Sequence, residues 1–139
     1  MNAPLPQSQI GFDTFGFGAH PHAPEQLVSM LSGFRFRFGD ERELQDGIAK
    51  VLTVRDITFE RERALSRPDR PDFLVAGGTA IEVKVKGSLA DLLRQISRYA
   101  SHPEVTSILA VGSPSWLTCL PSSICGKPVH GVHLIGSLL

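Results

Sequence analysis

The sequence predicts an α/β protein with a mixed central sheet that is flanked by helices. Apolar residues recur at helical spacing over residues 41–52 and again over residues 89–100. Between and after these segments lie short stretches of strand length, which are bounded by glycine, proline and charged loops. The order helix, strand, hairpin, helix, strand, strand is typical of a single mixed sheet with helices on its faces.

The first 40 residues are interpreted as an N-terminal arm. Residues 1–24 are rich in glycine, proline and histidine, and no helical or strand period persists in them. A short helix is predicted over residues 25–31. The next segment alternates phenylalanine with arginine, which predicts an edge strand with its rings pointing inward. Its members are Phe34, Arg35, Phe36, Arg37 and Phe38.

Residues 41–139 are interpreted as the α/β core. Asp40 can cap its first helix, with Glu43 at the third helical position as in a capping box. Ser88 with Asp91 can cap the second core helix. Residues 116–127 are expected to form a loop or a short helical turn. Strands are predicted over residues 53–60, 72–75, 80–86, 107–112 and 129–135.

Composition narrows the possible class of protein. The formal net charge is zero, so any basic surface must be local. No apolar run approaches the roughly 18 residues that span a bilayer, and residues 1–9 lack the regions of a secretory signal. The two cysteines, Cys119 and Cys125, are too few for a disulfide scaffold. We therefore expect a cytoplasmic protein with no membrane partner.

The predicted strand over residues 80–86 alternates apolar and charged side chains. Glu82, Lys84 and Lys86 share one face, because successive side chains of a strand point to opposite sides. Taken alone, this pattern is typical of an amphipathic strand with a solvated face. Asp72 offers an alternative, because opposite Glu82 it would place two carboxylates and an amine together.

That alternative depends on the turn between the two strands. Asp72 lies opposite Glu82 only if the pairing is centred on Gly77. This requires a bulge or a loop of odd length, such as Ala76-Gly77-Gly78 with a glycine at positive φ. A two-residue Gly77-Gly78 turn would instead pair Phe73 with Glu82 and place Asp72 on the other face.

Two carboxylates and a lysine on one face have a defined chemical use. Carboxylate oxygens are hard ligands that suit Mg²⁺, which usually takes one or two of them and keeps several waters. Such an ion polarises a phosphodiester and lowers the pKa of a bound water. Lys84 can orient that water or neutralise charge that develops on the phosphate.

These residues resemble a known motif. Pro71-Asp72, nine intervening residues and then Glu82-Val83-Lys84 are similar to the PD-(D/E)XK motif of restriction-endonuclease-like nucleases. That superfamily includes archaeal Holliday-junction resolvases, RecB-type domains and VRR-Nuc domains. The resemblance implies the restriction-endonuclease-like fold and Mg²⁺- or Mn²⁺-dependent hydrolysis of DNA, expected to be endonucleolytic and specific for DNA structure. It implies Asp72 and Glu82 as metal ligands and Lys84 as a catalytic residue.

Two further segments extend the resemblance over residues 41 to about 112. Glu41-Arg42-Glu43-Leu44 resembles the start of the metal-site helix of the archaeal resolvases. Helical geometry points Glu41 toward the sheet, which favours it over Glu43 as a third metal ligand. Gln95 and Tyr99 resemble the QxxxY element of RecB-type nucleases and are expected to shape the site. Alternatively, Glu41 serves the helix dipole, while Gln95 and Tyr99 are ordinary surface and core residues.

Several basic residues near these motifs are candidate DNA contacts or, alternatively, solvated side chains. They are Arg67, Arg70, Lys86, Arg94 and Arg98. The Arg35 and Arg37 pair carries the same two interpretations. Because so small a domain covers little DNA, a homodimer or a subunit of a larger DNA-processing complex is expected. The alternative function is a non-catalytic nucleic-acid-binding or assembly module on the same fold, or a general interaction protein.

Overall fold

The computed structural model describes residues 22–135, and most of the predicted arm, residues 1–21, lies outside this part, as do residues 136–139. The α-helices are α1 (Pro24–Ser32), α2 (Glu41–Val54) and α3 (Leu89–Ala100). The strands are β1 (Phe59–Arg61), β2 (Phe73–Val75), β3 (Thr79–Lys84), β4 (Ser107–Gly112), β5 (Ser123–Ile124) and β6 (Lys127–His133). None of the helices within residues 22–135 is long and apolar enough to cross a bilayer.

The strands form one mixed sheet of six strands in the order β1-β2-β3-β4-β6-β5. The first three are antiparallel neighbours, with a long loop over residues 62–72 between β1 and β2 and a three-residue turn between β2 and β3. Strands β3, β4 and β6 run parallel, and β5 returns antiparallel to β6 at the far edge. Helix α3 makes the crossover between β3 and β4, as parallel pairing requires. The predicted α/β class with a mixed sheet is confirmed.

Alternate residues of the central strands face two separate apolar clusters. Helices α1 and α2 cover one face, where Leu31 and Ile48 are fully buried. Helix α3 covers the other face, where Leu92 and Ile96 are fully buried. Both faces of the central strands are therefore dry, and α1 belongs to the same apolar cluster as α2. Burial on both sides is typical of parallel strands.

The capping residues proposed from the sequence act at the ends of the core helices. The Asp40 side chain accepts a hydrogen bond from the Glu43 amide at 2.8 Å. The Glu43 carboxylate in turn accepts from the Gly39 amide at 2.5 Å, one residue earlier than in the usual capping box. At α3 the Ser88 hydroxyl accepts from the Asp91 amide at 3.1 Å. Both helices begin where these caps predict.

The predicted edge strand at residues 34–38 is wrong. The segment is irregular and pairs with no strand of the described sheet, whose edges are β1 and β5. Phe36 and Phe38 are nevertheless buried in the cluster beneath α1 and α2. The Phe36 ring lies against Gly47 of α2, 3.1 Å from where a Cβ would stand. The two-residue period therefore reflects packing of an extended segment on a helix.

Other strand boundaries also differ from the prediction. The strand predicted over residues 53–60 is wrong in its first half, because α2 continues to Val54 and β1 begins only at Phe59. The Thr53 hydroxyl donates to the Ala49 carbonyl at 2.8 Å, which accommodates this β-branched residue within the helix. Strand β3 ends at Lys84 and β6 ends at His133, earlier than predicted. Residues 115–124 contain a 3-10 helix and then β5.

The turn between β2 and β3 has the odd length that the chemical interpretation requires. Val75 pairs with Thr79, which leaves the three residues Ala76-Gly77-Gly78 as the connection. Both glycines have φ of 101°, a conformation that side-chain-bearing residues rarely adopt. Continued by three residues, this register places Asp72 opposite Glu82. The prediction of an odd-length turn is confirmed.

We expect Gly112→Ala to destabilise the fold. A Cβ at this end of β4 would lie 1.6 Å from the Lys84 carbonyl oxygen, which is backbone and has no room to move. The free energy of unfolding should fall by about 2 kcal/mol or more in urea titrations. The matched control is Gly33→Ala, where the nearest atoms are 3.6 Å away. Equal stability of the two variants would contradict the close approach of β4 to Lys84.

Candidate active site

Asp72 and Glu82 come together where β2 begins and β3 ends. Asp72 directly precedes β2, and the Val83 amide of β3 donates to its Oδ2 at 2.7 Å. Glu82 is only 4% exposed. The interpretation of this strand face as merely solvated is therefore wrong for Glu82, although Lys86 at the end of the same face is exposed. The side chain of Glu82 points to the α3 face of the sheet.

Lys84 and Tyr99 bind the two oxygens of the Glu82 carboxylate. Lys84 Nζ lies 3.6 Å from Oε2, and its side chain is 22% exposed, so it reaches from the site to the surface. The Tyr99 hydroxyl donates to Oε1 at 2.9 Å and also lies 3.2 Å from the Arg70 carbonyl oxygen. The structure thus brings together Lys84, Tyr99 and the carboxylate that the sequence placed with them.

The pKa values of both carboxyl groups are raised. Burial raises the pKa of Glu82 to about 7, and the charge of Asp72 adds to this rise. Burial raises the pKa of Asp72 to about 6, although the hydrogen bond from the Val83 amide opposes it. Lys84 lowers both values. Ionising both carboxyl groups side by side is costly. A divalent cation bound between them would stabilise their charged forms.

Tyr99 keeps its proton and donates a hydrogen bond to the Glu82 carboxylate. Its pKa is raised, first by burial and then by the neighbouring charge of Glu82. A hydrogen bond with the side chain of Gln95, one helical turn earlier, opposes part of this rise. The predicted pair on α3 therefore meets at the hydroxyl that holds Glu82, and Gln95 is half-buried beside it.

Glu41 lies beside the site. Its carboxylate accepts a hydrogen bond from the Val85 amide at 3.4 Å, so it points toward the sheet as helical geometry predicts. Its charge also raises the pKa of Asp72. Within residues 22–135, however, no three histidine, cysteine, aspartate or glutamate side chains form a group that could hold a metal. The donor set that fits Mg²⁺ is Asp72 with Glu82, completed by water.

The predicted DNA-binding residues fall into two groups. Arg94 is paired with Asp91, Arg98 lies 2.8 Å from a carboxylate oxygen of Asp69, and Arg70 lies 4.0 Å from Glu62. Their charges are therefore partly neutralised by neighbours. The other group makes no ion pair among the described residues and is exposed at the surface; it comprises Arg67 and Lys86.

Asp69 is a residue of this region that the sequence did not single out. It is 7% exposed, accepts a hydrogen bond from Arg98 Nε at 2.8 Å and lies 2.9 Å from His102 Nε2. Those hydrogen bonds lower its pKa, that from His102 most. They tie the loop ahead of Asp72 to the end of α3. In the sequence Asp69 is one acid among arginines in a charged loop, and no periodicity marks it.

The Asp69 cluster does not have the geometry of a Ser-His-Asp triad. Ser66 Oγ lies 3.5 Å from His102, but on the same ring nitrogen that Asp69 contacts. A triad needs the base and its orienting carboxylate on opposite ring nitrogens. The cluster therefore acts as a structural anchor for the loop.

Comparisons with protein-family models, with curated proteins and with solved structures found no match to this chain. The interpretation of the site therefore depends on its motif spacing and its geometry.

Without a metal ion, we expect the stability of the fold to fall as the pH rises from about 4.5 to 7. The folded-state pKa of Glu82 is raised above its ordinary value of 4.5, so the folded state binds this proton more tightly than the unfolded chain does. The stabilisation that this bound proton gives to the folded state is complete below pH 4.5 and is lost as the pH rises through 7. Denaturant titrations in EDTA should show a smaller fall for Glu82→Gln, whose side chain does not titrate. The exposed Glu104→Gln variant is the control, and equal pH profiles for the wild type and Glu82→Gln would contradict the raised pKa.

We expect Asp69→Ala to cost about 2 kcal/mol or more of unfolding free energy. The substitution leaves His102 and Arg98 without the buried acceptor that they share. Asp46→Ala is the matched control, because Asp46 pairs with Arg61 at 3.0 Å but is exposed. It should cost less than about 1 kcal/mol. A difference too small to measure between the two variants would show that the anchor does not stabilise the loop.

Proposed function

We propose that this protein is a divalent-metal-dependent endonuclease that hydrolyses phosphodiester bonds in DNA. The observation that carries the proposal is that Asp72, Glu82 and Lys84 come together where β2 begins and β3 ends. The buried Glu82 and the half-buried Asp72, both with raised pKa values, lie beside Lys84, whose side chain is partly open to solvent. The three residues also have the spacing of the PD-(D/E)XK motif. We extend the proposal to the restriction-endonuclease-like fold, on the strength of the mixed sheet and that motif.

Asp72 and Glu82 would hold Mg²⁺ or Mn²⁺, and Glu41, the third ligand expected from the motif, would add negative charge beside the ion. When bound, the ion supplies a positive centre that polarises the scissile phosphate and makes water a better nucleophile. The residues of the chain prepare this site. Tyr99 fixes one oxygen of Glu82, and the Val83 amide fixes one oxygen of Asp72. Oδ1 of Asp72 and Oε2 of Glu82, which Lys84 approaches to 3.6 Å, are the oxygens left to hold the ion.

Lys84 is the catalytic cation of the proposal. Its ammonium group lies 3.6 Å from Glu82 and is partly open to solvent, so it can donate a hydrogen bond to a water or to a phosphate oxygen. A fixed positive charge at this place stabilises the negative charge that develops as the phosphodiester is attacked. Gln95 contributes by holding the Tyr99 hydroxyl.

DNA would approach the end of strands β2 and β3 where these residues lie. Arg67 and Lys86 are exposed cations that can bind phosphates without first leaving a carboxylate. Arg70 and Arg94 would exchange their carboxylate partners for phosphate. Arg98 would stay bonded to Asp69 through Nε and meet phosphate with the exposed part of its guanidinium group. A chain of 139 residues covers little DNA, which favours a homodimer or a place in a larger DNA-processing complex. The proposed substrate is DNA, and the proposed location of the protein is the cytoplasm.

We expect the purified protein to cleave DNA with Mg²⁺ or Mn²⁺ and to be inactive in EDTA. Plasmid, single-stranded and branched DNA serve as substrates. Asp72→Asn, Glu82→Gln and Lys84→Ala should each lower the cleavage rate by about a hundredfold or more, because each removes a group that acts on the reacting phosphate. Gel assays of single turnovers measure the rate.

The matched controls for the cleavage assay are Asp46→Asn and Lys50→Ala. Both positions are exposed on α2, and both substitutions remove a charge away from the site. These variants should cleave at the wild-type rate. Cleavage that survives in Asp72→Asn or Lys84→Ala would disprove the assignment. DNA binding without metal-dependent cleavage would support the non-catalytic alternative instead.

A further inference from the structure

A cleft of about 390 Å³ opens between the segment that follows α1 and the chain that follows β6. Its lining consists of Ser32, Phe34, Arg35, Phe36 and residues 133–135. This lining is aromatic, apolar and basic, and no carboxylate contributes to it within the described residues. Such a surface is complementary to a ligand that carries both a flat apolar part and a negative charge.

Phe34 offers an aromatic surface to this cleft. Its side chain is 36% exposed, whereas Phe36 behind it is buried, with the two ring centroids 6.2 Å apart. The guanidinium carbon of Arg55 lies 5.4 Å from the Phe34 ring centroid. The ring also lines the cleft. Arg55 lies outside the lining of the cleft, so the ring stands between Arg55 on one side and the cleft on the other. An exposed aromatic ring with arginines nearby is typical of surfaces that stack nucleobases.

The cleft and the candidate active site lie at the same end of the parallel strands. Lys84, Gly112 and His133 are in register across the neighbouring parallel strands β3, β4 and β6. Because adjacent strands lie about 4.8 Å apart, the backbone at His133 is about 10 Å from that at Lys84. The end of β4, which lies between them, is formed by Gly112 and Ser113, and neither residue carries a charge. The cleft lies on the α1 and α2 side of the sheet and Glu82 on the α3 side, so an extended ligand would reach from one to the other by crossing the ends of these strands.

Arg35 supplies positive charge in the lining of the cleft, and Arg37 follows two residues later on the same segment. Both side chains are exposed, and within residues 22–135 neither forms an ion pair. The burial of Phe36 and Phe38 fixes the backbone between them, so the arginines stand on an anchored segment. Unpaired arginines on fixed backbone are well suited to bind phosphate oxygens through two hydrogen bonds.

We propose that this cleft binds an unpaired nucleotide of the nucleic-acid strand that lies across the candidate active site. Phe34 stacks on the base, and Arg35 and Arg37 bind the adjoining phosphates. The proposal rests on the proposed nuclease function and adds the substrate class, a strand that is single-stranded next to the cleaved bond. Bases within a duplex are already stacked on their neighbours and do not present a free face to the ring.

The test measures binding of the full chain in EDTA, so that it does not depend on cleavage. Fluorescence anisotropy with a labelled 20-nucleotide oligo(dT) and with a blunt 20-base-pair duplex compares the two forms of DNA. We expect Phe34→Ala to weaken oligo(dT) binding by roughly tenfold, because it removes one stacked base, and to leave duplex binding unchanged. Phe34→Trp should retain the affinity. Val54→Ala removes another exposed apolar side chain and is the control.

The arginines are tested through the salt dependence of binding. The Arg35→Ala/Arg37→Ala variant should lower the slope of log affinity against log salt by roughly 0.7 for each lost phosphate contact. Lys50→Ala is the control for loss of a surface cation. Wild-type affinity in the Phe34→Ala variant, or equal binding of oligo(dT) and duplex, would overturn the proposal. A cleft filled by residues 136–139 or by a second copy of the chain would give that result.

Binding and cleavage together separate this proposal from the proposed function. If oligo(dT) binding depends on Phe34 but no metal-dependent cleavage occurs, the cleft assignment stands and the nuclease assignment fails. If DNA is cleaved and Phe34→Ala leaves both the oligo(dT) affinity and the KM for single-stranded DNA unchanged, the nuclease assignment stands and the cleft assignment fails.

Discussion

The register between β2 and β3 is the constraint on which the candidate site depends. Successive side chains of a strand point to opposite faces of the sheet. A shift of the β2–β3 pairing by one residue would therefore move Asp72 into the apolar cluster beneath α1 and α2. The three-residue turn prevents this shift. Gly78 has positive φ, and a Cβ there would lie 2.6 Å from the Glu104 carbonyl oxygen, so a bulkier residue has neither the backbone conformation nor the space. The turn therefore determines which face carries the carboxylates.

The burial of Asp72 and Glu82 imposes an electrostatic cost that the surrounding residues offset only in part. Each of the two carboxyl groups has one oxygen held by a hydrogen bond, and Lys84 supplies one nearby positive charge. The raised pKa values show that this compensation is incomplete. A fold that keeps two such groups side by side is strained in the way expected of a cation site, because the missing charge is what a bound ion would provide.

The last turns of α3 connect this site to the loop that leads into it. Tyr99 holds Glu82, while Arg98 and His102 hold Asp69, three residues ahead of Asp72. A single helix thus positions one carboxylate directly and the other through the backbone of the loop. On the opposite side, β4 and β6 extend the same sheet edge toward the cleft at Phe34. Both the candidate site and the cleft depend on strands that end at this edge.

The sequence by itself determined the parts of this protein that depend on local patterns. The caps at Asp40 and Ser88, the helical periods of α2 and α3, and the alternation along β3 each require only neighbours in the chain. The sequence also showed that Asp72 and Glu82 could meet only across an odd-length turn, because strand geometry has a period of two. The proposed chemistry depends on that condition.

Only the tertiary structure decided which side chains share long-range partners. The alternation at residues 34–38 resembled a strand, yet the segment found a helix to pack on and no strand to pair with. Arg98 looked like a solvated helix residue in the sequence, but it meets the carboxylate of Asp69, which is 29 residues away. The packing of α2 on the sheet places Glu41 against the Val85 amide, and within residues 22–135 Glu41 does not form a group of three ligands with Asp72 and Glu82. Burial and charge pairing between distant segments follow from packing, which no local pattern encodes.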